Sequence, residues 1–254
     1  MNNTVDWDAE TYDRVADPQK EWAREVLERL DLRGDETVLD AGCGSGSVTR
    51  LLLERLPRGR VIGVDASPSM IERSRASLGD DDRVELISGD LAELELPEQV
   101  DAVFSNATLH WIIDHERLFA RLFAALRPGG ALEAQCGGEG NIAEWERAIN
   151  ATEGDERFAA YLRGMRATYN FASVGDTEMR LARAGFEVER VWLEEKLVVP
   201  PDPATFVRTV VLVKHIDRLP PELRDQLVDT VLGSMPRPLT LRYVRLNISA
   251  RKPS

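Results

Sequence analysis

The alternate glycines near residue 44 carry the clearest chemical meaning in this sequence. Asp40-Ala41-Gly42-Cys43-Gly44-Ser45-Gly46 follows the apolar run Thr37-Val38-Leu39 and precedes a helical pattern that starts near Ser47. Glycines at 42, 44 and 46 let the main chain turn tightly and approach a ligand that side chains would hold off. The N-terminus of the next helix aims amide groups and a positive dipole end at the same place. A dinucleotide loop wants G-x-G-x-x-G, but position 47 is serine, so the third glycine is misplaced. The Asp40 carboxylate would repel a pyrophosphate and attract the ammonium of an amino-acid-like ligand. Asp65, at the end of the next strand pattern, can accept hydrogen bonds from both hydroxyls of a ribose. Ammonium, ribose and close main-chain approach together describe S-adenosylmethionine better than NAD.

The elements that must position these residues alternate. Strands are predicted at Thr37–Asp40, Arg60–Asp65, Arg83–Ile87, Asp101–Ser105 and Ala131–Gln135. Helices are predicted at Val48–Leu56, from Pro68 to Leu78 with Ser67 as cap, and at His115–Leu126, where Pro128-Gly129-Gly130 ends the last of them. Strands that alternate with helices pair in parallel through right-handed crossovers. Phe186–Val199 and Leu239–Ala250 read as a late antiparallel pair. The expected fold is α/β, a Rossmann-like, doubly wound, mostly parallel seven-stranded sheet with an antiparallel late strand and a helical lid. A helix over Pro18–Leu30 precedes the first strand, within an N-terminal helical segment of residues 1–34. Residues 35–254 form the main domain, with lid insertions at about 141–172 and 203–235.

The formal net charge of −12 opposes general nucleic-acid binding, which needs a surplus of Lys and Arg. Cys43 and Cys136 have neither disulfide-scaffold nor zinc spacing, and the nine acids scattered over Asp80–Asp101 read as a solvated rim, so no metal is expected. Met1–Gln19 is polar and acidic, without the apolar run of a signal peptide. No segment is long and apolar enough to span a membrane, so the expected location is the cytoplasm.

Four motifs resemble the class I S-adenosylmethionine-dependent methyltransferases: Val38 to Gly46, Gly63-Val64-Asp65-Ala66-Ser67-Pro68-Ser69-Met70, Gly89-Asp90-Leu91, and Leu126-Arg127-Pro128-Gly129-Gly130. The resemblance is strongest over residues 35–135. It implies that Asp65 holds the ribose, that Asp90 sits by the adenine amino group, and that Ala66, Leu91 and Met70 lie near the adenine ring. Within that family the sequence resembles the trans-aconitate methyltransferase group, through Trp7-Asp8-x-x-x-Tyr12, Gln19 and Ser105-Asn106-Ala107-Thr108-Leu109-His110-Trp111. It implies that Tyr12 lies in a segment folded over the cofactor, its ring against the sulfonium or stapling the helix. Gln19 reaches the methionine carboxylate or stays solvated. The implied product is S-adenosylhomocysteine.

The acceptor side is less determined. A carboxylate acceptor is ionised at neutral pH and needs a donor or cation to align it, whereas a hydroxyl needs a base. His110, at the edge where open α/β sheets bind ligands, can be that donor, that base, or pocket wall. Trp111 reads as wall. The carbonyls of Asn106 and Ala107 are placed to accept from the ammonium, and Gln135 to donate to substrate. Gly137-Gly138-Glu139-Gly140-Asn141 reads as a hinge into the lid. Arg163 and Arg166, three apart and expected on one helix face, with Tyr169, would suit an anionic acceptor. His115 is expected at the surface, His215 in the core, and Arg237, Arg242, Arg245 and Arg251 in solvent. The leading function is O-methylation of a small carboxylic acid. The alternatives are O- or C-methylation of a natural-product intermediate with His110 as base, and a cofactor-binding module without turnover. The partner is a small molecule, not nucleic acid or membrane, and the protein is a monomer or homodimer.

Overall fold

The computed structural model describes residues 17–152, 154–163, 169–235, 237 and 239–254. The expectations for Tyr12, Arg166 and the Gln19 side chain fall outside them. Seven strands form one sheet: β1 Thr37–Ala41, β2 Arg60–Asp65, β3 Val84–Ser88, β4 Val100–Asn106, β5 Leu126–Gly137, β6 Glu187–Val198 and β7 Leu241–Arg251. Their spatial order is β3-β2-β1-β4-β5-β7-β6. The first five pair in parallel, and β7 runs antiparallel to both β5 and β6. β1 is buried on both faces, as an apolar strand between helical layers must be.

The helices are α1 Asp17–Arg29, α2 Ser47–Arg55, α3 Pro68–Leu78, α4 His115–Ala125, α5 Ala143–Thr152, α6 Ala159–Leu162, α7 Val174–Ala184, α8 Pro203–Phe206, α9 Val213–Ile216 and α10 Pro221–Gly233. The expected cap holds: Ser67 Oγ accepts from the Met70 N–H at 3.3 Å, with Pro68 at the first helical position. Two expectations differ. Pro128-Gly129-Gly130 lies inside β5 rather than before it, at a shift in register against β4. Gly129 has φ +78° there, and a Cβ on Gly130 would stand 2.9 Å from the Asp101 carbonyl. Helix α7 was not anticipated, although Ser173 caps it through the Asp176 N–H at 3.1 Å and Gly185 ends it at φ +104°.

One face of the sheet packs Leu39, Val103 and Ile248 against Leu118, Phe119 and Leu122 of α4. Val26 and Leu30 meet Leu52, Leu56 and Phe104 in a second cluster around α1 and α2. In a third, Trp145, Phe158, Phe206, Leu227 and Val231 of the late helices meet Trp22 of α1 and Tyr243 of β7. Gly137, the last residue of β5, pairs with Arg245, so Leu241–Val244 runs past the carboxyl end of the parallel strands. That extension carries the late helices over the edge where such sheets bind ligands. No helix among the described residues is long and apolar enough to cross a membrane.

Candidate functional site

The glycine loop is tied to the end of β2. The N–H groups of Gly42 and Cys43 both donate to the Val64 carbonyl, at 2.8 and 3.1 Å. The Asp65 carboxylate then clamps two turns, accepting from the Gly44 N–H at 3.0 Å and from the Ser67 N–H at 2.9 Å. All three glycines have positive φ, which only glycine adopts without penalty. Their surroundings separate them. A Cβ on Gly42 would stand 2.1 Å from Thr108 Oγ1, and one on Gly46 would stand 2.6 Å from Ser74 Oγ, so packing demands these two. A Cβ on Gly44 would meet nothing within 4 Å. The space for close approach of a ligand therefore lies in front of Gly44.

Three carboxylates surround this turn. Asp40, at the end of β1, is 1% exposed and accepts from Thr49 Oγ1 at 2.7 Å. Burial pushes its carboxyl up to about 7, with the Asp65 charge adding to the rise and the Thr49 bond opposing it. Burial also raises the Asp65 carboxyl, against the N–H bonds that favour its anion. Asp90 follows β3 and accepts from the Ala92 N–H at 2.9 Å. Gly89 donates to the Asp65 carbonyl at 3.0 Å, which brings Asp65, Ala66 and Asp90 to neighbouring strand ends. Ala66 is exposed, whereas Met70 and Leu91 are buried. Leu91 packs into the main core cluster rather than standing clear of it.

After β4 the chain is held tightly. Ala107 takes the left-handed conformation at φ +57° and donates to the Gln135 carbonyl at 2.8 Å. Thr108 Oγ1 reaches the carbonyls of both Asn106 and Gly42, at 3.1 and 3.3 Å. Thr108 was not anticipated, yet it locks the glycine loop to the β4 turn. His110 is 8% exposed, and its Nδ1 accepts the Gly137 N–H at 3.3 Å. A neutral imidazole held this way carries its proton on Nε2. Trp111, Tyr169 and Phe171 ring it, with centroids 5.2, 6.3 and 5.7 Å away.

Several expectations are corrected. Gln135 is not a ready substrate donor: its Nε2 donates to Asn247 Oδ1 at 2.9 Å and its Oε1 accepts from Arg245 Nε at 3.3 Å. Arg163 stands at the C-terminal cap of α6, outside the helix, and is exposed. His115 is 2% exposed, not a surface residue, because its Nε2 reaches the Leu109 carbonyl at 3.0 Å; burial lowers its pKa. Arg245 is 3% exposed, not solvent-facing. Its position on β7 faces α1 instead of water. Arg251 is exposed and Arg242 half-buried, paired with Glu189 and Glu195. His215 is buried in the cluster of late helices, as expected. Among the described residues no group of three or more His, Cys, Asp or Glu could hold a metal ion.

Comparison with known proteins agrees with this geometry. Residues 38–130 match the family model described as a methyltransferase domain. A trans-aconitate 2-methyltransferase of Methylobacterium nodulans is 34% identical over 190 residues, 74% of this chain and 71% of the relative. That of Azoarcus sp. is 41% identical over 129 residues, 51% of this chain and 50% of the relative, so the match spans half the length of that protein. The solved structure of an S-adenosylmethionine dependent methyltransferase from Mesorhizobium loti has a TM-score of 0.55 at 26% identity, covering 92% of this chain and 98% of its own. A parallel sheet with a glycine turn and carboxylates on successive strand ends defines the Rossmann-like methyltransferases of class I. The chain belongs to that family, the S-adenosylmethionine-dependent methyltransferases, and resembles its trans-aconitate group.

Proposed function

We propose that the protein transfers a methyl group from S-adenosylmethionine to one carboxylate of a small organic acid. The observation that carries this is the His110 ring, whose Nδ1 accepts the Gly137 N–H. Its Nε2 is then a donor, suited to aligning a carboxylate and unsuited to removing a proton from a hydroxyl. The donor, when bound, supplies a sulfonium methyl that a carboxylate oxygen takes in line, the C–O bond forming as the C–S bond breaks and its electron pair stays on sulfur. No proton moves, so the chain's part is alignment and exclusion of water.

In this reading Gly44 gives the ligand its approach, and Asp65 accepts from the ribose hydroxyls. Asp90 accepts from the adenine amino group, with Ala66, Leu91 and Met70 around the ring. Asp40 faces the ammonium through its charge, helped by the carbonyls of Asn106 and Ala107. Trp111 and Tyr169 wall the acceptor side beneath the lid segments, and the likeness to trans-aconitate 2-methyltransferases also favours an acid acceptor.

His110 gives the direct test. With His110→Ala, KM for an accepted acid should rise roughly 10- to 100-fold, the worth of a hydrogen bond to a charged group, while kcat stays within about threefold. His110→Asn should recover part of the loss. A methyl-release assay over a panel of acids and hydroxyl compounds measures both. A kcat loss of ~10²-fold or more on a hydroxyl acceptor would instead favour the natural-product alternative with His110 as base.

Asp40 gives a second test. Its carboxyl is held up near 7 by burial, so part of the population is protonated at pH 6.5. A cation nearby favours the anion, so cofactor binding should release protons at that pH. Calorimetry in buffers of different ionisation enthalpy reads the release, and Asp40→Asn should abolish it. Without ligand the same group has the reverse sign from a paired carboxylate. Its folded pKa lies above its unfolded value, so its contribution to stability is full below about pH 4 and is lost as pH rises through about 7.

A further inference from the structure

We propose that Arg245 is the anion anchor of the acceptor site, selecting charged acceptors over neutral ones. The inference rests on the acid-acceptor reading and names the residue that enforces it. Arg245 stands opposite Gly137, the last residue of β5, and the N–H of Gly137 holds the His110 ring. One main-chain residue therefore joins the proposed aligning donor to a buried guanidinium at the same edge of the sheet.

A guanidinium cannot shed its charge, and arginine is rarely this deeply buried. The surroundings fix its place. Gln135 Oε1 accepts from Arg245 Nε at 3.3 Å, and Gln135 Nε2 donates to Asn247 Oδ1 at 2.9 Å. Arg29 donates to the same Asn247 oxygen at 2.8 Å and pairs with Glu133 at 2.9 Å. The Trp22 ring lies 4.8 Å from the guanidinium carbon. This row spans α1, β5 and β7, so the side chain is ordered before any ligand arrives, which is what an oriented charged contact requires.

Charge balance points the same way. An anionic acceptor must approach a turn that already carries Asp40, Asp65 and Asp90. The neutral His110 supplies direction but no charge to offset them, whereas a fixed guanidinium supplies both. The exposed Arg163 cannot do this in a water-excluded site.

The test is calorimetric titration of trans-aconitate into the protein loaded with S-adenosylhomocysteine, for wild type, Arg245→Lys and Arg245→Gln. The nucleoside's own affinity serves as the control for folding. We expect Kd for trans-aconitate to rise about 100-fold in Arg245→Gln and about 10-fold in Arg245→Lys, which keeps the charge and loses the fork. Affinity for S-adenosylhomocysteine should stay within about twofold. Unchanged trans-aconitate affinity in Arg245→Gln overturns the proposal, as does absence of binding to wild type. Loss of nucleoside affinity in both variants overturns it too, by assigning Arg245 to the fold. The methyl-release assay on wild type decides the acid reading separately: acids turned over with Arg245 indifferent sinks the anchor alone, and trans-aconitate bound through Arg245 without turnover of any acid sinks the reading alone.

Discussion

Replacing Asp65 with alanine should weaken binding of S-adenosylhomocysteine by about 10²- to 10⁴-fold. In its proposed role the carboxylate accepts from two ribose hydroxyls, each bond to a charged group being worth about 1.5–3 kcal/mol. It also holds the cradle in shape, through the N–H groups of Gly44 and Ser67. Asp65→Asn keeps the outline of the side chain but turns one acceptor into a donor that faces an N–H, so it should show an intermediate loss. Calorimetry measures both, with the melting temperature as a check on folding. A change in Kd under about threefold for the alanine variant would remove Asp65 from the ligand site. Because burial raises this carboxyl above its usual range, the anion is lost earlier on acidification than for an exposed aspartate. Affinity should therefore fall on acidification sooner than it would for an exposed aspartate.

The two glycines at 42 and 44 should respond to alanine in opposite ways. Gly42→Ala puts a methyl group 2.1 Å from Thr108 Oγ1 on a backbone with φ +89°. The left-handed conformation costs about 1–2 kcal/mol and the overpacking about 1–3 more. A loss of ~3 kcal/mol corresponds to a fall of roughly 10 °C in melting temperature for a domain of this size. Gly44→Ala meets no atom within 4 Å, so it should cost stability only the strain of φ +53°, about 1–2 kcal/mol. Its methyl group projects into the space left for the ligand and should lower affinity about 10- to 100-fold. Thermal unfolding with and without S-adenosylhomocysteine separates the two effects. Equal loss of stability in both variants would contradict the division of labour read from the loop.

The glycine loop and the elements around it were legible in the sequence because their signals are local. Strand, glycine turn, helix cap and terminal acid follow one another within a few residues from Thr37 to Met70, and the structure keeps them in that order. The proposed acceptor half was not, because its residues meet only across the sheet. Nothing near Arg245 in the chain announces Gln135 or Trp22; alternation along a strand says which residues share a face, but not whether that face meets water or a helix. His115 was misplaced although its partner is near in sequence: the Leu109 carbonyl that draws it inward is only six residues back, and its reach depends on the turn between them. Helix α7 shows a different kind of miss. Its cap at Ser173 and its closing Gly185 are present in the sequence, but they lie between segments read as lid and late strand.

The order of the strands also bears on how the chain is made. Residues 241–251 are the last of the seven strands to leave the ribosome, yet they take an interior place between β5 and β6. Until they arrive, the outer edge of β5 and both edges of β6 carry unsatisfied main-chain groups, the arrangement that invites pairing with other chains. Nascent chains stalled or truncated before Leu241 should therefore aggregate, and chaperones would be needed until that strand has emerged.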